Sequence, residues 1–104
     1  MQENYTFLDD LGEELDLLQR HIKILQLLKK DGPLGILRIS QITNIPQHRV
    51  RYSLRILETE GMITASPEGA KIVGNVDDFV KKLKNGLSEI EKRISELRED
   101  LDSF

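Results

Sequence analysis

Residues 39–63, ISQITNIPQHRVRYSLRILETEGMI, constrain the fold more than any other stretch. Two short apolar-periodic segments stand here with only a few residues between them to reverse direction. Ile39 and Ile42 lie at i and i+3, one face of a short helix, and Ser40 is small where a second helix must come close. Asn44 sits at the reversal, and Asn tolerates left-handed backbone better than most residues. Ile45 plugs the turn. Pro46 suits the opening of a helix, since its fixed φ is pre-set and its missing N–H costs nothing there. Val50, Leu54 and Leu57 follow at i, i+4 and i+7, which predicts a helix over residues 47–60. Gly61 supplies the αL stop.

That second helix has two unlike faces. The aliphatic one should set Leu54 under the preceding helix, against Ile39, Ile42 and Ile45. Halfway round lie His48, Tyr52, Arg55 and Thr59, with Arg51 beside them. Small residue, αL-capable residue, apolar plug, cap and second helix together resemble a helix-turn-helix. With Gly61, Met62 and Ile63 following, residues 20–73 are similar to the winged-helix regulators of archaea and bacteria. The resemblance implies double-stranded DNA as partner, with the second helix in the major groove. Gln47, His48, Arg51, Tyr52 and Arg55 would then face base edges or flanking phosphates. Arg49 and Lys71 would be positioning contacts to phosphate. Two positions depart from the family pattern. Asn44 replaces a frequent Gly, and Pro46 replaces a Ser or Thr, so no side-chain cap is available.

The flanking segments fit this plan. Residues 1–6 are polar and should fray. Leu8, Leu11, Leu15, Leu18, Ile22, Leu25 and Leu28 step by three and four, predicting a helix over residues 9–30 with a break near 18–20. Gly12 weakens its start by roughly 1 kcal/mol relative to Ala. Asp9, Asp10, Glu13, Glu14 and Asp16 crowd its first half and Lys29 and Lys30 its end, the order that suits the helix dipole. A solvated helix start accounts for these acids better than a metal site or a shield for the basic face. Asp31, Gly32 and Pro33 stop the helix. Leu34 to Leu37 either pair briefly as a strand or lead into a helix over residues 36–43. After Gly61, residues 62–65 and 70–73 read as the two strands of a hairpin wing around a turn at 66–69. Glu68 near its tip would repel phosphate, so the wing should add little affinity.

From Val76 onward a heptad runs to the last residue. Val76, Leu83, Ile90, Leu97 and Phe104 occupy d, and Val80, Leu87, Ile94 and Leu101 occupy a. A helix of about 28 residues spans roughly 42 Å, more than a small winged domain can cover. Self-association as a homodimeric coiled coil therefore accounts for the stripe better than packing on its own domain. In a parallel pair Arg93 at g would face Arg98 at e of the partner, which favours an antiparallel pair.

Charge agrees with this division. Residues 1–19 carry six acids and no base, residues 20–73 nine bases and four acids, and residues 74–104 six bases and eight acids, for a net −3. The positive excess sits where DNA is expected, and it is modest. No Cys is present, so there is no disulfide, thiolate nucleophile or Cys-based zinc site. No 18-residue apolar run or secretory signal appears, which leaves a cytoplasmic protein as the default. No Walker loop, dinucleotide fingerprint or metal spacing of His21 and His48 points to an enzyme or to a cofactor. His21 should be structural or a surface residue. Tyr52 has a buried reading as well as an exposed one. The expected architecture is mainly α with a small β-hairpin wing. An acidic extension (1–19) precedes a winged helix-turn-helix domain (20–75), and a C-terminal coiled-coil dimerisation helix (76–104) follows. The expected function is a homodimeric DNA-binding transcriptional regulator. The alternatives are a winged-helix subunit that binds protein in a larger assembly, which the acidic total favours, and an architectural DNA-binding protein without sequence preference.

Overall fold

The computed structural model describes residues 6–104. The expectation of fraying at residues 1–6 lies outside them except at Thr6, where α1 begins, three residues ahead of its expected start. The element order is α1 (Thr6–Asp31), α2 (Ile36–Thr43), α3 (Gln47–Thr59), β1 (Ile63–Ser66), β2 (Gly69–Ile72) and α4 (Val76–Asp102). This is the mainly helical architecture with a hairpin wing that the sequence leads one to expect. The chain divides into two compact units, Met1–Gly74 and Asn75–Phe104.

α1 is continuous, so the expected break near residues 18–20 does not occur. Gln19 and Arg20 are good helix formers, and residues on either side of them pack against the rest of the domain. Only the second half of α1 reaches the core, where Ile24, Leu25 and Leu28 are buried. Leu8, Leu11 and Leu15 remain 58–59% exposed, although they continue the same periodicity.

The reversal between α2 and α3 is built as its residues require. Asn44 takes φ 64°, ψ 19° and returns its N–H to Ser40 O at 2.8 Å. Ser40 Oγ donates to Ile45 O at 2.6 Å, and Thr43 Oγ1 accepts from Ile45 N at 3.2 Å. These bonds satisfy the polar groups of the turn without a Gly at position 44. Pro46 offers no side-chain cap, but its carbonyl accepts from both Arg49 N and Val50 N at 3.0 Å.

α3 buries Val50, Ser53 and Leu57. Leu54 is only half-buried, and Ile42 is 44% exposed, so the expected packing of Leu54 at the centre of the core is corrected. The reason lies on α1. His21 Nδ1 stands 2.8 Å from Ser53 Oγ, and this pairing offsets the cost of burying a hydroxyl. The helix is thereby rolled so that Ser53, rather than Leu54, faces inward.

α3 ends in a Schellman motif. Gly61, at φ 77°, donates to Glu58 O at 2.9 Å, and Met62 N donates to Leu57 O at 3.0 Å. The chain then enters an antiparallel hairpin with Ile63 opposite Ile72 and Ser66 opposite Gly69. The strands run one residue closer to the tip than expected and leave Pro67 and Glu68 as the turn. Ser66 Oγ closes it by donating to Gly69 O at 2.6 Å. Leu34 bridges Ala70 through two backbone hydrogen bonds, of 3.1 and 2.8 Å, so the wing is moored to the lead-in of α2. Gly69, at φ 122°, lies so close to the Leu34 backbone that any Cβ there would collide with it.

α4 opens on Asn75, whose Oδ1 accepts from Asp78 N at 3.0 Å, and it carries Asp77 and Asp78 in its first turn. None of its residues is buried. Its end tightens to i to i+3 spacing, with bonds from Ser103 N to Asp100 O at 3.2 Å and from Phe104 N to Leu101 O at 3.3 Å. Phe104 therefore stands beyond the helix and does not extend its stripe. No helix among the described residues is long and apolar enough to cross a membrane.

The core generates a prediction for each of two groups. Leu57→Ala should cost about 2–5 kcal/mol by chemical denaturation, because it empties a fully packed site. Leu54→Ala should cost clearly less, and equal losses would show that both residues are central. The other group is His21, whose imidazole is held below its ordinary range by partial burial and, secondarily, by the charge of Arg20. The folded chain thus takes up this proton at lower pH than the unfolded chain does. The stability it protects is present above the ordinary histidine value of about 6.5 and is lost as pH falls through the lowered one. Melting temperature should drop on acidification from about pH 7.5 to 5.5, with a shallower drop in His21→Asn. Superimposable profiles would exclude His21 as the group responsible.

Candidate nucleic-acid interface

The surface of interest is built on one helix and completed by another. Residues 48, 51, 52 and 55 lie at i, i+3, i+4 and i+7 of α3, so they share a single face. The inward roll set by Val50, Ser53 and Leu57 turns that face outward. His48, Arg51, Tyr52 and Arg55 are exposed. The Tyr52 ring meets that of His21, with centroids 6.1 Å apart and planes tilted by 36°. Tyr52 thus falls between its two readings: it is 39% exposed, and its ring lies against that of half-buried His21.

A concavity of about 410 Å³ opens along the seam between α1 and α3. His48, Arg49, Arg51, Tyr52 and Arg55 line it from α3, and Leu17 and Arg20 line it from α1. Arg20 Nη1 donates to Arg49 O at 3.3 Å, which ties the α1 guanidinium to the first turn of α3. Four arginines therefore border one open cleft with no carboxylate in its lining. Arginine forks match phosphate oxygens bidentately, and exposed aromatic rings take stacked or edge contacts.

The other two residues singled out from the sequence lie elsewhere. Gln47 is exposed at the first position of α3, outside the lining. Lys71 is exposed on β2, paired across the hairpin with Thr64, and is likewise not part of the cleft. Sequence reasoning missed Arg20, and it missed His21 and Ser53 as the pair that orients α3. Ser53 did leave a signal: it is a small polar residue at i+3 from Val50, inside an otherwise apolar stripe, and so needs a partner. Arg20 left none beyond being the first base after a run of acids.

Among curated proteins the chain has no match. A family model described as winged helix-turn-helix DNA-binding matches residues 17–64, from the α1 residue at the edge of the cleft to the first strand of the wing. The helix pair about the αL turn at Asn44, the hairpin after α3 and this match lead to one conclusion: residues 17–64 carry a winged helix-turn-helix DNA-binding domain.

Proposed function

We propose that the protein is a homodimeric, non-enzymatic transcriptional regulator that reads double-stranded DNA by placing α3 in the major groove. The observation that carries this reading is the outward face of α3, where Arg51 and Arg55 lie one turn apart beside His48 and Tyr52 in a domain of DNA-binding type. In this reading residues 20–75 form the DNA module. Gln47, His48, Arg51, Tyr52 and Arg55 meet base edges or flanking phosphates, and Arg49 and Lys71 meet phosphates. The short wing supports a division of labour in which α3 dominates, since Glu68 is exposed at the hairpin tip. The same feature favours the alternative of a protein-binding winged helix, and the DNA experiment separates the two.

Dimerisation is assigned to α4, residues 76–102. Val76, Val80, Leu83, Leu87, Ile90, Ile94, Leu97 and Leu101 form one stripe at heptad spacing, and none of them is buried within a single chain. In a second copy the same stripe offers a matching surface, and a helix-turn-helix that reads two half-sites needs two copies. The acidic segment 1–19 takes no part in DNA contact in this scheme.

Replacing Arg51 and Arg55 together with Ala should leave the melting temperature near that of the parent, because both side chains are exposed. DNA affinity measured by fluorescence anisotropy should fall by about 1–3 kcal/mol for each base-reading side chain removed. A folded double variant that binds as well as the parent would remove α3 from the interface. Sedimentation should show a dimer for the full chain at micromolar concentration and a monomer or an unstable species for a version ending at Asn75. A monomeric full chain would defeat the assignment of α4.

A further inference from the structure

We propose that the cleft between α1 and α3 is a phosphate-binding site, and that Arg20 of α1 is the residue that completes it. Arg20 falls within the residues that the family model matches, but it lies on α1, outside the two helices α2 and α3 of the helix-turn-helix itself. The argument rests on how the guanidinium is held. Arg20 is half-buried, and its Nη1 hydrogen bond to Arg49 O fixes the head group beside the first turn of α3. One donor is used in this way, and the rest of the fork is left free for a ligand. Arg49, Arg51 and Arg55 border the same cleft from the other side.

No ion pair among the described residues neutralises any of the four arginines. Asp16 lies one turn before Arg20, the spacing at which a helical pair forms readily, yet it makes no such bond. Four like charges around one concavity repel each other until an anion enters. A tetrahedral phosphate suits the arrangement better than a carboxylate, because its oxygens can take forks from two helices at once. The phosphate has two sources with the same chemistry: a phosphodiester of DNA lying against α3, or a phosphorylated small molecule. Only the first rests on the DNA-binding reading.

The test uses the full chain with Arg20→Ala and Arg20→Gln. The Gln variant keeps the first three side-chain carbons and a neutral amide in place of the charge, so it separates loss of charge from loss of most of the stem. Lys30→Ala, which removes an equal charge from an exposed site outside the cleft, is the control. In the first arm, DNA affinity is measured across a salt titration. Removing one phosphate-binding charge reduces the slope of log K against log salt by about 0.9, so the deficit of the Arg20 variants should shrink about 3.5-fold between 50 and 200 mM salt, on any DNA sequence. In the second arm, pyrophosphate is titrated without DNA, and the NMR signals of Tyr52 and the arginine Nε–H groups are followed. Saturable shifts in the parent that both Arg20 variants lose would identify a free phosphorylated ligand as a source.

A change of slope alone assigns the site to the DNA backbone, and saturation alone assigns it to a small molecule. Arg20 variants that match Lys30→Ala in the first arm and the parent in the second overturn the proposal. A parent chain that binds no DNA at all defeats the regulator reading, and the pyrophosphate arm then decides this inference by itself.

Discussion

The hydrogen bond between His21 and Ser53 sets the rotation of α3, and much else follows from that rotation. A hydroxyl buried without a partner would cost about 1–3 kcal/mol, so Ser53 can face inward only where α1 presents an acceptor or donor. Once it does, Val50 and Leu57 are carried into the core with it, against a floor that includes Ile24 and Ile39. The opposite face of the helix then turns to solvent with His48, Arg51 and Arg55 on it. The same α1 segment places Arg20 one residue before His21. The pair that seats the helix and the cation that extends its outer surface are therefore adjacent in sequence, on neighbouring sides of one helical turn.

The parts of this fold that could be read from the sequence are those fixed by local chemistry. Asn44 at a positive φ, Pro46 at the head of α3 and Gly61 just past its end each have a backbone reason that operates within a few residues. The boundaries of α2 and the start of α3 match their local sequence signals for that reason. The parts that could not be read depend on partners far away in the chain. Positions 50, 53 and 57 and positions 50, 54 and 57 are both acceptable helical stripes. The choice between them is made by His21, thirty-two residues distant. The leucines of α1 illustrate the same limit: their spacing is uniform from Leu8 to Leu28, but only the later ones meet α2, α3 and the wing.

The candidate site divides along the same line. A single helix face can be read from spacing, so the shared face of His48, Arg51, Tyr52 and Arg55 is legible in the sequence. A cleft between two helices cannot be read in that way, because it depends on how α1 crosses α3. Lys71 shows the converse. Its charge and its place in the wing can be read from the sequence, but its distance from the seam cannot: the hairpin is short and moored to Leu34, and Lys71 is not among the residues gathered there.

The unbroken course of α1 also bears on how a ligand can approach. Because the helix has no joint near residues 18–20, its acidic half is carried as a stiff extension of the half that seats α3. From Leu17 back to Thr6 this arm is roughly 17 Å long at the rise of an α-helix, and it bears Asp9, Asp10, Glu13, Glu14 and Asp16. A polyanion settling against Arg20 and α3 would meet a fixed palisade of carboxylates if it ran along that arm, and it would be turned away from that heading. Repulsion built into the scaffold thus disfavours that heading for any polyanion at the cleft.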